Sequence, residues 1–159
     1  MKLGMAVMVT AAALLVGCGG GGGVSGDKGE EGAKKVAEKI KSGSFKDLRP
    51  SEANLKTLFD DSVVADVLKH VDKIYGEIGK LELKEDPSDV VCYGTEDIKG
   101  GKAGELPGGY KRISDKLKPG VQVCRFKSGS MKVDGVMWAD GKWFFIPKAF
   151  RAIASDDKD

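Results

Sequence analysis

Asp140-Gly141 lies between two apolar segments, and few folds are compatible with this arrangement. An Asp-Gly pair tolerates the left-handed conformations of a two-residue turn, so it predicts a tight β-hairpin. Such a turn fixes which residues face one another, and pairing outward from it places Trp138 opposite Trp143. Because side chains alternate between the faces of a strand, the hairpin has two distinct faces. One face carries Val136, Trp138, Trp143 and Phe145, and the other carries Met137, Phe144 and Ile146.

Both faces of the predicted hairpin are apolar, so other elements must cover it on both sides. Apolar residues recur at helical spacing from Ala33 to Ile40, after a candidate N-cap at Ser51, and most regularly from Ser62 to Ile78. The last of these helices is expected to cover one face of the hairpin. The other face could be covered by the bent sheet itself, by the connection 94–120, by a ligand or by a partner. Gly79 is expected to end the last helix as a left-handed C-cap. We therefore predict an α+β fold, with N-terminal helices packed on a curved antiparallel sheet in a single domain.

Further strands are predicted at the alternating segment Leu81–Leu83 and around two cysteines. Cys92 and Cys124 each lie in a strand-like segment, and the connection between them, 94–120, is long and rich in glycine. In an exported protein an even pair of cysteines indicates a disulfide. Two buried free thiols and a metal pair are the alternatives. Zinc prefers four ligands, however, and His70 is the only histidine.

The amino terminus has the composition of a secretory targeting segment. Lys2 is followed by an apolar run from Met5 to Val16, which is shorter than the roughly 20 residues that a membrane-spanning helix needs. The run ends in Leu15-Val16-Gly17-Cys18, and this motif resembles the lipobox of bacterial lipoproteins. The resemblance implies removal of a signal peptide, residues 1–17, and covalent attachment of lipid to Cys18, with no other cofactor. The alternative is a short core segment with an incidental cysteine.

Residues 18–32 are predicted to form a flexible tether behind the lipid. Gly19–Gly23 are consecutive glycines, and the only large apolar residue that follows them in the tether is Val24. Such a segment is expected to bury too little apolar surface to offset the loss of backbone entropy. The folded domain is then expected over residues 33–154, and a disordered charged tail over residues 155–159.

The charge balance argues against a nucleic-acid partner. The chain has 26 basic and 24 acidic residues, and removal of the signal peptide takes away one lysine. Nucleic-acid binding requires a concentrated basic face, and the sequence contains no such cluster.

Helices followed by a curved antiparallel sheet, ending in Asp140-Gly141-Lys142-Trp143-Phe144-Phe145-Ile146, resemble the cystatin-like or nuclear transport factor-like α+β roll. Many exported bacterial lipoproteins of unknown role have that shape. In this family the cone-shaped sheet often encloses a pocket for a small molecule. Fold analogy alone does not supply a function.

The aromatic residues offer the best candidate for a pocket or an interface. Trp138, Trp143 and Phe145 share one face of the hairpin, and Tyr93 and Tyr110 would join them if the connection 94–120 folds over the sheet. Cross-strand packing of the two tryptophans in the core is the alternative interpretation.

Residues for catalysis or metal binding are not grouped in any recognisable pattern. His70 falls on the flank of a helical apolar stripe, where a lone histidine indicates a rim or surface position. Asp60 and Asp61 are interpreted as helix-capping and solvent-facing carboxylates rather than an acid/base pair. Gly100–Gly104 resembles a phosphate loop only superficially, because Lys102 is not followed by serine or threonine.

The sequence thus predicts a lipid-anchored protein of a bacterial cell envelope, attached to the cell membrane or the outer membrane. The domain would face the periplasm or the cell exterior. Its expected role is that of a non-enzymatic binding or interaction module, with an envelope protein as candidate partner. Two alternatives stay open: a small-molecule pocket protein of the cone-shaped fold, and an envelope structural or assembly protein with an exposed apolar patch.

Overall fold

The computed structural model describes residues 22–153, which fold into helices packed on one antiparallel sheet. In chain order the elements are β1 (Val24–Ser25), α1 (Glu30–Lys41), α2 (Glu52–Leu58), α3 (Asp61–Glu77), β2 (Pro87–Gly94), α4 (Thr95–Lys99), α5 (Gly109–Arg112), β3 (Gln122–Ser128), β4 (Met131–Ala139), β5 (Lys142–Phe145) and α6 (Phe150–Ile153). Short 3₁₀ turns occur at Phe45–Leu48, Ile78–Lys80 and Ser114–Lys116. The strand order β1-β5-β4-β3-β2 leaves the sheet open and confirms the predicted α+β class. The predicted signal peptide, Cys18 and the tail at 155–159 lie outside the described residues.

The predicted hairpin is confirmed in turn and register. Asp140 and Gly141 have positive φ angles of 51° and 76°, as a mirror-image turn requires. Trp138 faces Trp143 across β4 and β5. The register of β3 against β4 shifts at Gly135, whose φ is +89°, so β4 has a β-bulge at this position.

Separate helical layers cover the two faces of the sheet. On one side α1 and the turn Phe45–Leu48 form a core with the strands, here called the α1-side core, whose large fully buried members include Leu48, Phe126, Trp143 and Phe145. On the other side α2 and α3 form the α3-side core, whose largest members are Phe59, Tyr110, Met137 and Phe144. The two-sided burial inferred from the hairpin is therefore confirmed.

Local capping explains where α2 and α3 begin. Ser51 accepts from the main-chain N–H of Asn54 at 3.2 Å, and the Asn54 side chain accepts from the Ser51 N–H at 3.0 Å. Asp60 Oδ1 accepts from the Ser62 N–H at 3.0 Å, so the predicted capping role of this carboxylate is confirmed. Among residues 22–153, no helix is long and apolar enough to cross a membrane.

The predicted disulfide is present between the neighbouring strands β2 and β3. Cys92 and Cys124 are direct partners in the register, with their Cα atoms 4.1 Å apart. Cys124 is buried in the α1-side core, and Cys92 packs against that core from a half-buried position. The bond ties the edge strand β2 to the centre of the sheet.

Two local predictions in the segment after α3 are wrong. Gly79 is not left-handed: α3 continues into the turn Ile78–Lys80, and the Leu81 N–H bonds the Ile78 carbonyl oxygen at 2.8 Å. This right-handed turn ends the helix without a left-handed residue. Leu81–Leu83 does not form a strand. The next residues are held by a side chain and not by a strand pairing: the Ser128 hydroxyl donates to the Glu85 carbonyl oxygen at 2.7 Å.

The predicted flexible tether is wrong for residues 22–32, which belong to the folded domain. Val24 and Ser25 form β1 and pair with Trp143 and Lys142 of β5. Helix α1 begins at Glu30, ahead of the expected domain boundary. The composition of the segment misleads because its contacts are made through main-chain groups, which a count of apolar side chains does not register.

Loss of the disulfide is expected to destabilise the domain by about 3–4 kcal/mol, because it frees a loop of some 33 residues in the unfolded chain. The double variant Cys92→Ala/Cys124→Ala, compared with wild type by urea unfolding, measures this loss. Added reductant should lower the midpoint of the wild type and leave that of the variant unchanged. Equal midpoints for the two proteins without reductant would contradict the prediction.

Candidate functional site

The two tryptophans hold the segment that leads into the domain. We call residues 22–29 the docked segment. The Trp138 indole N–H donates to the Gly26 carbonyl oxygen at 2.9 Å, and the Trp143 indole N–H donates to the Asp27 carbonyl oxygen at 3.1 Å. The Lys28 ammonium lies over the Trp138 ring, 5.4 Å from its centroid. The face that sequence reasoning assigned to a pocket or an interface is thus occupied by the chain itself.

Glycines allow the docked segment to lie close to the aromatic rings. Gly23 has a φ of +75°, and a Cβ atom there would come 2.4 Å from the Phe144 ring. A Cβ on Gly32, in the first turn of α1, would lie 2.1 Å from the Asp27 carbonyl oxygen and 2.8 Å from the Trp143 ring. These positions have no room for a larger residue. Docking of the segment therefore requires glycine at positions 23 and 32.

A groove of about 330 Å³ runs between the docked segment and α1. Trp143 and Val36 supply apolar surface, and Glu31, Lys35 and Lys39 supply charge. Trp143 is only 1% exposed, and neither Trp138 nor His70 lines the groove. The groove therefore differs from a cavity shared by both tryptophans, which the small-molecule alternative requires.

The structure separates the predicted aromatic residues into two groups. Trp138, Trp143 and Phe145 lie on the side of the α1-side core, and Phe145 is fully buried there. Tyr93 and Tyr110 belong to the α3-side core, on the opposite face of the sheet. The connection 94–120 folds over the sheet, but it covers the face opposite to the one that carries the two tryptophans.

Tyr110 belongs to a polar cluster beside the bulge that sequence reasoning missed. Its hydroxyl donates to Asp134 Oδ1 at 3.0 Å, and the Lys148 main-chain N–H donates to the same oxygen at 2.8 Å. Burial, followed by the nearby Asp134 charge, raises the pKa of Tyr110 well above its ordinary value. The cluster fixes the end of β5 and helix α5 to the bulge.

Arg125 is the second buried polar group near the bulge. It donates from Nε to the Glu105 carbonyl oxygen at 3.2 Å and from Nη1 to the Asp89 carbonyl oxygen at 3.1 Å, and it pairs with the Glu105 carboxylate. Arg125 thereby fastens the connection between β2 and β3 to the sheet. A cavity of about 200 Å³ lies beside it, bordered by Glu105 and Asp134. The signal available in the sequence was a charged residue between the apolar residues Cys124 and Phe126.

The remaining candidates for chemistry have structural contacts. His70 is half-buried on the flank of α3, as predicted, and its Nε2 donates to the Pro147 carbonyl oxygen at 2.9 Å. The hydrogen bonds from Ser62 lower the pKa of Asp60, which suits its capping role. Within the described part of the chain, no three His, Cys, Asp or Glu residues are grouped as a metal site would require.

A comparison with known protein families, curated proteins and solved structures found no match to this chain. The resemblance to the cystatin-like or nuclear transport factor-like roll therefore stays a prediction.

Gly32→Ala is expected to destabilise the protein by about 1–3 kcal/mol, because the new methyl group pushes against Asp27 and Trp143. Gly76→Ala is the matched control. Gly76 lies in α3, and a Cβ atom there would meet no other part of the fold within 4 Å, so alanine should stabilise by about 0.5–1 kcal/mol. Chemical unfolding of both variants measures whether each substitution lowers or raises the free energy of unfolding. A stabilising Gly32→Ala would show that the docked segment does not press on the helix.

Alkaline pH is expected to destabilise the domain through two tyrosines. Burial raises the pKa of Tyr75, whose hydroxyl donates to the Phe145 carbonyl oxygen at 2.9 Å, and also that of Tyr110. Above pH ~10 the unfolded chain releases these protons while the folded chain keeps them, so stability falls by about 1.4 kcal/mol per pH unit for each tyrosine.

The stability of wild type and Tyr75→Phe at several alkaline pH values measures these slopes. Below pH ~10 this contribution is constant, and above it the variant should lose stability about half as steeply as wild type. Parallel curves for the two proteins would contradict the contribution of Tyr75.

Proposed function

We propose that the chain is a lipoprotein of a bacterial cell envelope, attached to a membrane by lipid on Cys18, whose domain is a non-enzymatic binding or interaction module. The observation that carries the anchor is the division of the cysteines. The sequence has three, and Cys92 and Cys124 are bonded to each other. Cys18, within the lipobox-like motif, is the remaining thiol available for a thioether bond to lipid.

The disulfide supports a location outside the cytoplasm. Bonds of this kind persist in oxidising compartments such as the bacterial periplasm and are rare where thioredoxin and glutathione keep thiols reduced. An exported chain with a lipidated cysteine meets this condition. Two or three acyl chains on one cysteine also exceed what stable membrane attachment needs, whereas a single chain binds only marginally.

The contacts of the polar side chains support a binding role over catalysis. The indoles of Trp138 and Trp143 and the imidazole of His70 all bond main-chain carbonyl oxygens. Arg125 likewise holds two main-chain oxygens. Groups that fix the fold in this way are oriented toward the chain itself, whereas a catalytic group must be oriented toward a substrate.

The surface also bears on the structural or assembly alternative. That role predicts an extended apolar patch. In the described part of the chain, Met131 is the only large hydrophobic side chain that is exposed, at 42%. Partners that recognise polar and charged surface therefore fit the domain better than partners that bury a large apolar face.

Substitution Cys18→Ser tests the proposal. Wild type should incorporate labelled palmitate and stay in the membrane fraction after a high-salt wash, whereas the variant should do neither, because serine cannot form the thioether. Cys92→Ala/Cys124→Ala is the control and should keep its lipid. Retention of Cys18→Ser on washed membranes would refute the lipid anchor.

Chemical cross-linking in intact cells then tests the binding role. We expect a discrete cross-linked product with the wild type that is lost with Cys18→Ser, since the variant no longer shares the membrane surface with its partner. If the wild type forms no cross-linked product and instead turns over a small molecule, the binding role is wrong.

A further inference from the structure

The position of Cys18 relative to the docked segment limits how far the domain can stand from a membrane. Gly22, the first residue that the structure describes, is only four positions after Cys18. A fully extended chain of that length spans at most about 14 Å. A tether reaching to the start of α1 at Glu30 would instead span up to roughly 40 Å.

Hydrogen bonds hold the docked segment along its whole length. The Gly22 N–H donates to the Arg49 carbonyl oxygen at 2.8 Å at one end, and the Gly29 N–H donates to the Gln122 side chain at 2.9 Å at the other. Between them, the Gly26 N–H donates to the Gly141 carbonyl oxygen at 3.1 Å, next to the two indole contacts. The short reach therefore starts from a fixed point on the domain.

We propose that the docked segment holds one end of the domain, formed by Arg49 and the turn Phe45–Leu48, against the lipid headgroups of the membrane. This orientation rests on the proposed lipid on Cys18. The docked segment then sets both the distance of the domain from the membrane surface and its orientation relative to that surface.

The surface at this end suits a headgroup layer. Lys46 is exposed, the Arg49 side chain is 40% exposed, and Asp72 pairs with Arg49 beside it. Tyr75 lies under the Arg49 guanidinium, which is 5.6 Å from the ring centroid. Charged groups of both signs with an aromatic ring beneath them match the polar interface of a bilayer and do not suit its hydrocarbon interior.

The opposite edge of the sheet is expected to point away from the membrane. Four strand spacings separate β1 from β2, which amounts to about 19 Å. Helix α4 follows β2 directly and ends at Lys99, an exposed residue. Lys46 and Lys99 are thus comparable surface positions at the near and the far side of the domain.

Fluorescence quenching tests this orientation in the lipidated full chain. Lys46→Cys and Lys99→Cys are each labelled with the same fluorophore, and the proteins are reconstituted in phosphatidylcholine vesicles that carry a nitroxide on the headgroup. We expect quenching at position 46 to exceed that at position 99 at least roughly twofold. Equal quenching at the two positions, with the lipid present, would refute the proposed orientation of the domain and leave the lipid anchor intact.

A spacer distinguishes orientation by the short docked segment from orientation by attraction between the protein surface and the lipid headgroups. Insertion of ten Gly-Ser residues between Gly21 and Gly22 lengthens the reach by up to about 35 Å and leaves every contact of the docked segment in place. The quenching ratio should then approach one, with the unfolding midpoint unchanged. If the spacer variant kept the wild-type quenching ratio, the proposed role of the docked segment in orienting the domain would also be refuted. Absence of lipid on the wild-type protein is a different failure, that of the proposed function.

Discussion

The pairing of β4 with β5 is the interaction on which the other layers of the structure depend. A slip of one residue would exchange the two faces of a strand, moving Trp143 and Phe145 out of the α1-side core and Phe144 into it. Both helical layers would lose the surfaces they cover, and β1 would lose the edge it pairs with. The left-handed Asp140-Gly141 turn prevents that slip. The conformational preference of these two residues therefore determines which side chains of the hairpin face each helical layer.

The sequence was most informative where a local pattern also decides the long-range contact. The hairpin register follows from turn chemistry, and the pairing of Cys92 with Cys124 was expected because these two cysteines lie in strand-like segments; both are confirmed. Leu81–Leu83 shows where this reasoning fails, because alternation alone does not provide a neighbouring strand with free main-chain groups. Tyr110 shows the same limit: its face was decided by how the connection 94–120 folds, which no short-range signal in that connection specifies.

The docked segment was missed for a different physical reason. Estimates of disorder from composition count the apolar side chains that a segment can bury, and residues 22–29 contain one large apolar residue, Val24. Here the apolar surface comes from the partner, through Trp138 and Trp143, and the segment contributes carbonyl oxygens and the absence of side chains. A buried tryptophan usually finds an acceptor for its N–H, so Trp143 on an apolar face was a signal for a polar partner nearby.

Trp143 links the docked segment to the stability of the domain. Its ring is 1% exposed, belongs to the α1-side core, and lies under Gly26 and Gly32. Detachment of residues 22–29 would expose that ring and leave both indole N–H groups without their carbonyl partners. The segment therefore cannot swing away as an independent hinge, because its release opens one edge of the core. An anchor joined to such a segment would be held by the cooperative stability of the fold, since the same tryptophan contributes to the core and to the attachment.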